Sequence, residues 1–534
     1  MVRHVSVPER WDIEADLVAV GSSTGGLVSA ITGHDLGLST VLLEKTDFLG
    51  GGTALSGGAL WIPCNHHMLA MGLSDSREEA LTYIRRMSLG RHDEEHLGAY
   101  IENGPKMLRY VEEATPLKMA VDQTIADYYA DFPGGKGIGR ILVPDTGRLT
   151  PLLTEAEKSH PLIGKIRHEP VPRFFGMREP PWFPGRMLVG GLALGCINRQ
   201  INILTSTRAM QLIVDNGRVI GLRAQRDGRD FFIKCRKGIV IATGGSEWNE
   251  EMNKRFINSP PLHGITPPSN EGDGHMMGME IGAAVALMDH SIFNPVIRIP
   301  GEETEGRPYW RMFMYSIGHP GTILVNRHGK RCCDEAFYPA VGEAFCAYDR
   351  LRGEFRNTPL FWIADQSYRD RFVVGPLKKG TEMADWLHRA DTLPELAAQL
   401  GLPADSLVKT VERFNALARE ERDPDFHRGE SSYDVRWGLN YFPDHKPPTL
   451  GPLEKPPFYG VQIHMGTVGN LGGLVTNSNA QVIDTRGKII PGLYGTSNAT
   501  ALLCAGFCYQ SGMSHTKSMI FGYLAARHMA GADG

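Results

Sequence analysis

The residues with the clearest chemistry stand at the front of the chain, in D-L-V-A-V-G-S-S-T-G-G, Asp16 to Gly26. Leu17 to Val20 is an apolar run of strand length, and small residues crowd the turn that follows it. A helical stretch opens near Gly25 and Gly26. A helix N-terminus placed there offers unpaired N–H groups and a positive dipole end to a pyrophosphate. Val41 to Leu43 forms a second strand that closes on Glu44, about 20 residues beyond the turn, where an acidic side chain can hold a ribose hydroxyl. This is a dinucleotide-binding fingerprint with one departure. Ser23 stands where G-x-G-x-x-G has its second glycine.

A second glycine-rich stretch, residues 45 to 63, follows directly. Its glycines at 50, 51, 52, 57 and 58 let backbone approach a partner closely, and Thr53 and Ser56 can donate hydrogen bonds. Leu55, Leu60 and Trp61 are interleaved with them, so the stretch reads as backbone wrapped against a flat ligand. Two groups resemble metal half-sites, Cys504 with Cys508 and Cys64 with His66 and His67. Neither has a second ligand pair at zinc spacing. No metal is expected.

These groups need elements to hold them. Residues 76 to 115 carry helical spacing in Leu97 with Ile101 and Met107 with Val111, and Gly104-Pro105 predicts a break between two helices. From 121 to 150 periodicity fades, and Tyr128, Tyr129 and Phe132 stand in the irregular stretch. The run R-E-P-P-W-F-P-G, 178 to 185, is a candidate pocket lining. Three alternating runs between 210 and 235, joined by D-N-G-R and D-G-R turns, predict an antiparallel meander. G-I-V-I-A at 238 to 242 is a further buried strand that ends in T-G-G, placing Gly244 at the cofactor. A meander inserted in a dinucleotide domain is the layout of flavin-binding proteins. The section from about 276 to 444 differs in character, with aromatics scattered through loops and an amphipathic helix over 404 to 420. A proline-rich return path leads to a closing strand at 489 to 495 and a last helix over 513 to 530.

The 534 residues suffice for two or more domains. The net charge of −4, without a basic block, argues against nucleic acid and against an acidic membrane surface. No apolar run reaches the ~20 residues of a membrane span, and the first residues lack a signal-peptide core. An intracellular, cytoplasmic protein is expected, with its eight cysteines as free thiols.

These motifs, in this order, resemble the 3-ketosteroid dehydrogenase branch of the fumarate reductase/succinate dehydrogenase-like flavoproteins. The resemblance rests on V-A-V-G-S-S-T-G-G with V-L-L-E-K, S-G-G-A-L-W-I-P, I-A-T-G-G-S-E-W-N, N-E-G-D-G, G-T-I-L-V-N-R-H-G-K-R, L-G-P-L-E-K-P-P-F-Y-G, G-T-V-G-N-L-G-G-L and M-I-F-G-Y-L-A-A. It implies an α/β protein. A discontinuous, Rossmann-like FAD-binding domain with an inserted β-meander would take residues 1–275 and 445–534. An α+β catalytic domain would be inserted at 276–444, with the active site at the junction. FAD would be held by the first-turn backbone at Gly21, Thr24, Gly25 and Gly26, which would meet the pyrophosphate, by Glu44 and Lys45, by Gly51, Gly52, Thr53, Ser56, Gly57 and Gly58, by Gly244 and Asp273, and by Asn498, Met513 and Ser514. Ser497 stands where the family has a glycine.

The resemblance further implies desaturation of a cyclic ketone, a 3-ketosteroid above all, with an electron acceptor such as a quinone. Tyr338 is the base and Tyr509 with the Gly512 N–H the ketone-polarising pair. Each segment is one residue shorter than in the family, which admits the Met513 N–H as the second donor. A supporting tyrosine is Tyr128 or Tyr129, with Tyr129 preferred. The same residues leave open a smaller oxocyclohexane-type ketone, enone or enoate reduction, and a non-catalytic flavin carrier.

Overall fold

The computed structural model describes residues 6–168, 182–379 and 383–532. The aromatic-proline run at 178–185 lies partly outside them. The first strand, Ile13–Val20, sits in an eight-stranded sheet. It runs parallel to Thr40–Leu43 on one side and to Arg229–Ile241 on the other, with Val18 opposite Val41 and Ile239. Asn202–Leu204 and Ile489–Gly495 extend the parallel core outward. These strands read as continuous apolar runs because both faces are covered. The first helix, Thr24–Asp35, the helix Pro184–Asn198 and the last helix, Met513–Ala530, bury one face in a shared core. A second core with the meander covers the other face.

The first and last helices touch at their backbones. A Cβ added to Gly522 would lie 2.4 Å from the Gly25 carbonyl, and one added to Gly25 would strike Thr496 and Ser518. The start and end of the chain thus close one domain. The meander forms as Thr207–Asp215, Arg218–Arg226 and Arg229–Ile241. Its third strand does not stop at residue 235. It continues through a register shift opposite Ala15 and Leu17 and becomes the parallel partner of the first strand, so the two strands expected at 231–235 and 238–242 are one.

A second, seven-stranded sheet has the order Arg307–Met312, Ser291–Thr304, Phe458–Asn470, Leu360–Ala364, Thr322–Asn326, with Leu262–Gly264 and His388–Ala390 also on the long strand Phe458–Asn470. This sheet crosses both expected domain boundaries. Its central strand lies beyond residue 444 and one edge strand lies before residue 276, because the proline-rich return path leads into the sheet and not out of it. A buried ion cluster ties its helical side together. Arg331 donates to Glu335 and Asp423, and Arg428 to Glu335 and to the carbonyls of His319, Thr322 and Thr449.

The expected break at Gly104-Pro105 is corrected. Glu94–Ala114 is one helix with Pro105 inside it. An interior proline costs about 3 kcal/mol. Leu97, Tyr100, Ile101, Met107, Leu108 and Val111 are all buried on one face, at roughly 1.5–3 kcal/mol each, and their packing outweighs it. Among the described residues, no helix is long and apolar enough to cross a membrane.

Candidate active site

One cavity of about 560 Å³ runs between the two sheets. Glu44, Lys45, Thr207, Ala209 and Asp273 stand at one end, and the turn Gly21 to Thr24 faces Gly51, Gly52 and Thr53 along its middle. At the far end Ser56, Gly57, Gly58, Asn498, Gly512 and Ser514 meet a wall of tyrosines. Gly244 also lines it.

The Glu44 carboxylate accepts from the Ser22 hydroxyl at 2.6 Å and from the backbone N–H of Ser22 and Thr46. Asp273, opening its helix, accepts from Lys45 and from Arg208. The first helix, Thr24–Asp35, has its Gly25 N–H capped by the Ser518 hydroxyl oxygen at 2.9 Å. Its N-cap residue Ser23 turns its hydroxyl to the Ala242 carbonyl. The cradle around this axis is open. A Cβ on Gly51 or Gly57 would meet nothing within 4 Å. Two buried wall hydroxyls, Thr24 Oγ1 and Thr243 Oγ1, have no hydrogen-bond partner. A long ligand with a central diphosphate fits these donors and a flat ring fits the glycine cradle.

At the far end Tyr128 Oη lies 2.6 Å from Tyr338 Oη. The Tyr128 ring meets Tyr338, Tyr433 and Tyr509 edge-on, at centroid distances of 5.7, 5.2 and 6.2 Å. Tyr338 opens the helix Tyr338–Cys346, while Tyr509 and Gly512 immediately precede the last helix. Tyr128 sits in an irregular turn and is placed by long-range bonds. Its N–H donates to the Gln510 side chain at 2.7 Å, and Tyr83 donates to the same oxygen at 2.8 Å. The neighbouring Asp127 is held by Trp61 and Arg140.

The charge chemistry follows from burial. Burial pushes Tyr128 and Tyr338 well above the usual phenol range, and the neighbouring tyrosines add to it. Burial also lifts Tyr509, to about 12, against the pull of a hydrogen bond from the Gly512 backbone. Burial holds His515 below its ordinary value, so it is neutral, with Nδ1 on the Ala59 carbonyl. Gly512 has φ +89, and a Cβ there would lie 2.6 Å from the backbone of Leu60 and Trp61. Glycine is required at that position.

A family model described as FAD binding domain matches residues 16–514. The chain belongs to this FAD-binding family. It is 36% identical to a 4-oxocyclohexanecarboxylate 2-dehydrogenase of Sinomonas cyclohexanicum, covering 97% of this chain and 93% of the relative. It is 34% identical to a 3-oxosteroid 1-dehydrogenase of Mycobacterium tuberculosis, covering 98% and 99%. A solved 3-ketosteroid delta1-dehydrogenase from Sterolibacterium denitrificans superposes with a TM-score of 0.87 at 30% identity, over 97% of this chain and 100% of that one. The flavoprotein is an FAD-dependent oxidoreductase of the CH–CH class, in the 3-oxosteroid dehydrogenase-like branch.

In the flavoprotein most of the expected cofactor positions line the one cavity, from Gly21 and Thr24 through Glu44, Lys45 and the 51–58 stretch to Gly244, Asp273, Asn498 and Ser514. Three do not. Gly25 and Gly26 face away from it and let the first helix pack against Thr496, Ser518 and the Gly21 carbonyl. Met513 is fully buried behind the wall. The preference for Tyr129 is corrected. Tyr128 lines the cavity with Tyr338 and Tyr509, whereas Tyr129 stacks on Phe132 and lines only an adjoining cavity that those three tyrosines share.

Sequence reasoning missed Tyr315, Tyr433, Trp437 and Tyr441, which complete the aromatic wall. Residues 433, 437 and 441 fall four apart on the helix Ser432–Tyr441, a spacing that puts all three on one face. His66 and His67 do not pair with Cys64. Both turn Nε2 to the buried Glu112 carboxylate, at 2.8 and 2.9 Å.

Proposed function

We propose that this flavoprotein desaturates a cyclic ketone at its α,β carbons, with a 3-oxosteroid as the favoured substrate. The observation that carries the reading is the convergence of Tyr128, Tyr338, Tyr509 and Gly512 at the cradle end of the cavity. Bound FAD supplies the hydride acceptor. The chain's own residues supply the rest. Tyr509, held as a neutral phenol by burial, remains a hydrogen-bond donor at neutral pH and polarises the ketone oxygen together with the Gly512 N–H. Tyr338 takes the proton from the α carbon as its phenolate, a form that burial disfavours, and becomes a neutral phenol. Tyr128, in hydrogen-bond contact with Tyr338, donates to that phenolate. Tyr315, Tyr433, Trp437 and Met314 exclude water from the ring.

The wall favours an uncharged ring system. Lys45 is the one lysine or arginine among its described residues, and it is paired with Glu271 and Asp273 at the opposite end. A ring ketone bearing a carboxylate finds no counter-ion there. A smaller ketone is the second reading, favoured by the 36% identity to the oxocyclohexanecarboxylate enzyme. Electrons leave to an acceptor such as a quinone in either case.

The deciding experiment mixes the protein anaerobically with a 3-oxosteroid, with cyclohexanone and with 4-oxocyclohexanecarboxylate, and follows flavin absorbance. Rapid bleaching by the steroid is expected. Bleaching by the carboxylate alone refutes the substrate assignment, and no bleaching by any ketone refutes the dehydrogenase reading.

A further inference from the structure

Lys517 lies in the first turn of the last helix and is fully buried. Its ammonium donates to the carbonyls of Ser497 and Thr500 at 2.6 and 2.7 Å and to the Thr500 hydroxyl at 3.1 Å. All three acceptors are neutral. A buried charge is ordinarily paired, and among the described residues no carboxylate reaches this one. The titratable groups that face it are Cys504, His96 and His275. Burial pushes the Cys504 thiol up to about 12 and holds both histidines below their ordinary values, His275 at about 4. None carries a negative charge at neutral pH.

The missing anion has a place. Lys517 grips the Ser497–Ala499 turn from behind, and Ser497 and Asn498 of that turn line the cradle end of the cavity with Ser514 and Ser518. Ser497 itself holds φ 63, a left-handed backbone in a residue other than glycine, and its carbonyl is one of the two that Lys517 engages. When a hydride enters bound FAD, the ring system gains a negative charge in this part of the protein. Lys517 is the buried cation that bonds the Ser497 carbonyl of this turn.

We propose that Lys517 is the counter-charge of the reduced flavin: it raises the reduction potential of bound FAD, and takes up a proton from solvent when the flavin is reduced. The balance is complete. The hydride brings two electrons and one proton to the flavin, and the neutral amine, where present, takes one more proton to become ammonium. Burial pulls Lys517 down to about 7 in the oxidised protein, so the uptake falls at physiological pH. The proposal rests on FAD binding and not on the identity of the ketone.

The test uses the FAD-loaded protein and Lys517→Met, which keeps the length of the side chain and removes its charge. Reduction potentials are measured with dithionite and redox dyes, and affinity for sulfite, which forms a negatively charged flavin adduct, is measured by absorbance. The variant is expected to reduce at least tenfold less favourably, a fall of about 30 mV for a two-electron couple, and to bind sulfite at least tenfold more weakly. In the unaltered protein the potential should fall twice as steeply with pH above about 7 as below it, and the variant should keep one slope. A Lys517→Met protein that loses thermal stability but retains potential, sulfite affinity and slope overturns the proposal. Should the variant fail to hold FAD, the unaltered protein decides: one uniform slope from pH 6 to 8 overturns it equally.

Discussion

Replacing Tyr128 by phenylalanine removes one oxygen atom and little else. The ring stays packed edge-on against Tyr338, Tyr433 and Phe337, and its N–H keeps the Gln510 side chain. The loss is the 2.6 Å contact with Tyr338 Oη and, beside it, the bond to the Ser511 side chain. That separation falls in the 2.5–2.7 Å range of hydrogen bonds to an oxyanion. Such a bond to a charged group is worth about 1.5–3 kcal/mol. Converted at 1.36 kcal/mol per decade, this is a fall of roughly 10- to 150-fold in the rate of flavin reduction. Tyr338→Phe removes the base itself and should cost about 10²–10⁴.

The pair is decisive because Tyr128 is assigned no contact with the ketone. Its effect passes through Tyr338, so the double variant should be no slower than Tyr338→Phe alone, and the coupling energy should equal nearly the whole Tyr128 effect. Anaerobic stopped-flow reduction at saturating 3-oxosteroid measures all four proteins. Factors that multiply in the double variant, or a Tyr128→Phe rate within twofold of the parent, refute the reasoning.

Two further outcomes follow from the same geometry. Gly512→Ala forces a Cβ to 2.6 Å from the Leu60 and Trp61 backbone at φ +89, and should lower stability by about 2–5 kcal/mol from overpacking and left-handed strain together. Gly98→Ala, inside a helix with open space around its Cβ, should raise it by about 0.5–1 kcal/mol; calorimetry compares the two. The buried cluster predicts acid sensitivity. Burial alone would raise Glu335 and Asp423, but Arg331 outweighs it and holds both carboxyls below their ordinary values. A depressed carboxyl contributes stability that is complete above its unfolded value of about 4 and is lost as pH falls through the lower folded value. The midpoint temperature should therefore drop steeply below about pH 4, and Glu335→Gln, which leaves buried arginines underpaired, should cost roughly 3–5 kcal/mol even at pH 7.

The difference between what the chain discloses and what it withholds is one of range. The cofactor half is written in local terms. A parallel strand needs an apolar run, the turn after it needs room for backbone, and Glu44 closes the next strand at a fixed distance. Those constraints act over about 20–30 residues and leave a linear trace. The choice between Tyr128 and Tyr129 leaves none. Adjacent residues in an irregular turn point to different sides, and the side is chosen by Gln510, 382 positions away, through one hydrogen bond. Pro105 is the converse case. Its local rule is strong, and it is overridden by an apolar face that the helix can bury only if it continues.

Ser23 shows how a motif should be weighed at each position. A glycine is demanded by a backbone only where φ is positive or a Cβ would collide. Gly21 meets both conditions, with φ +105 and a Cβ that would lie 2.3 Å from the Ala242 carbonyl oxygen. Ser23 meets neither. Its φ of −65 is open to any residue, and its side chain leaves the phosphate side of the turn to donate to that same Ala242 carbonyl. The serine thus fastens the turn to the end of the neighbouring strand with a bond that glycine cannot make. What the fingerprint records as a lost glycine is, in this chain, an added contact at a position where glycine's freedom was not in use.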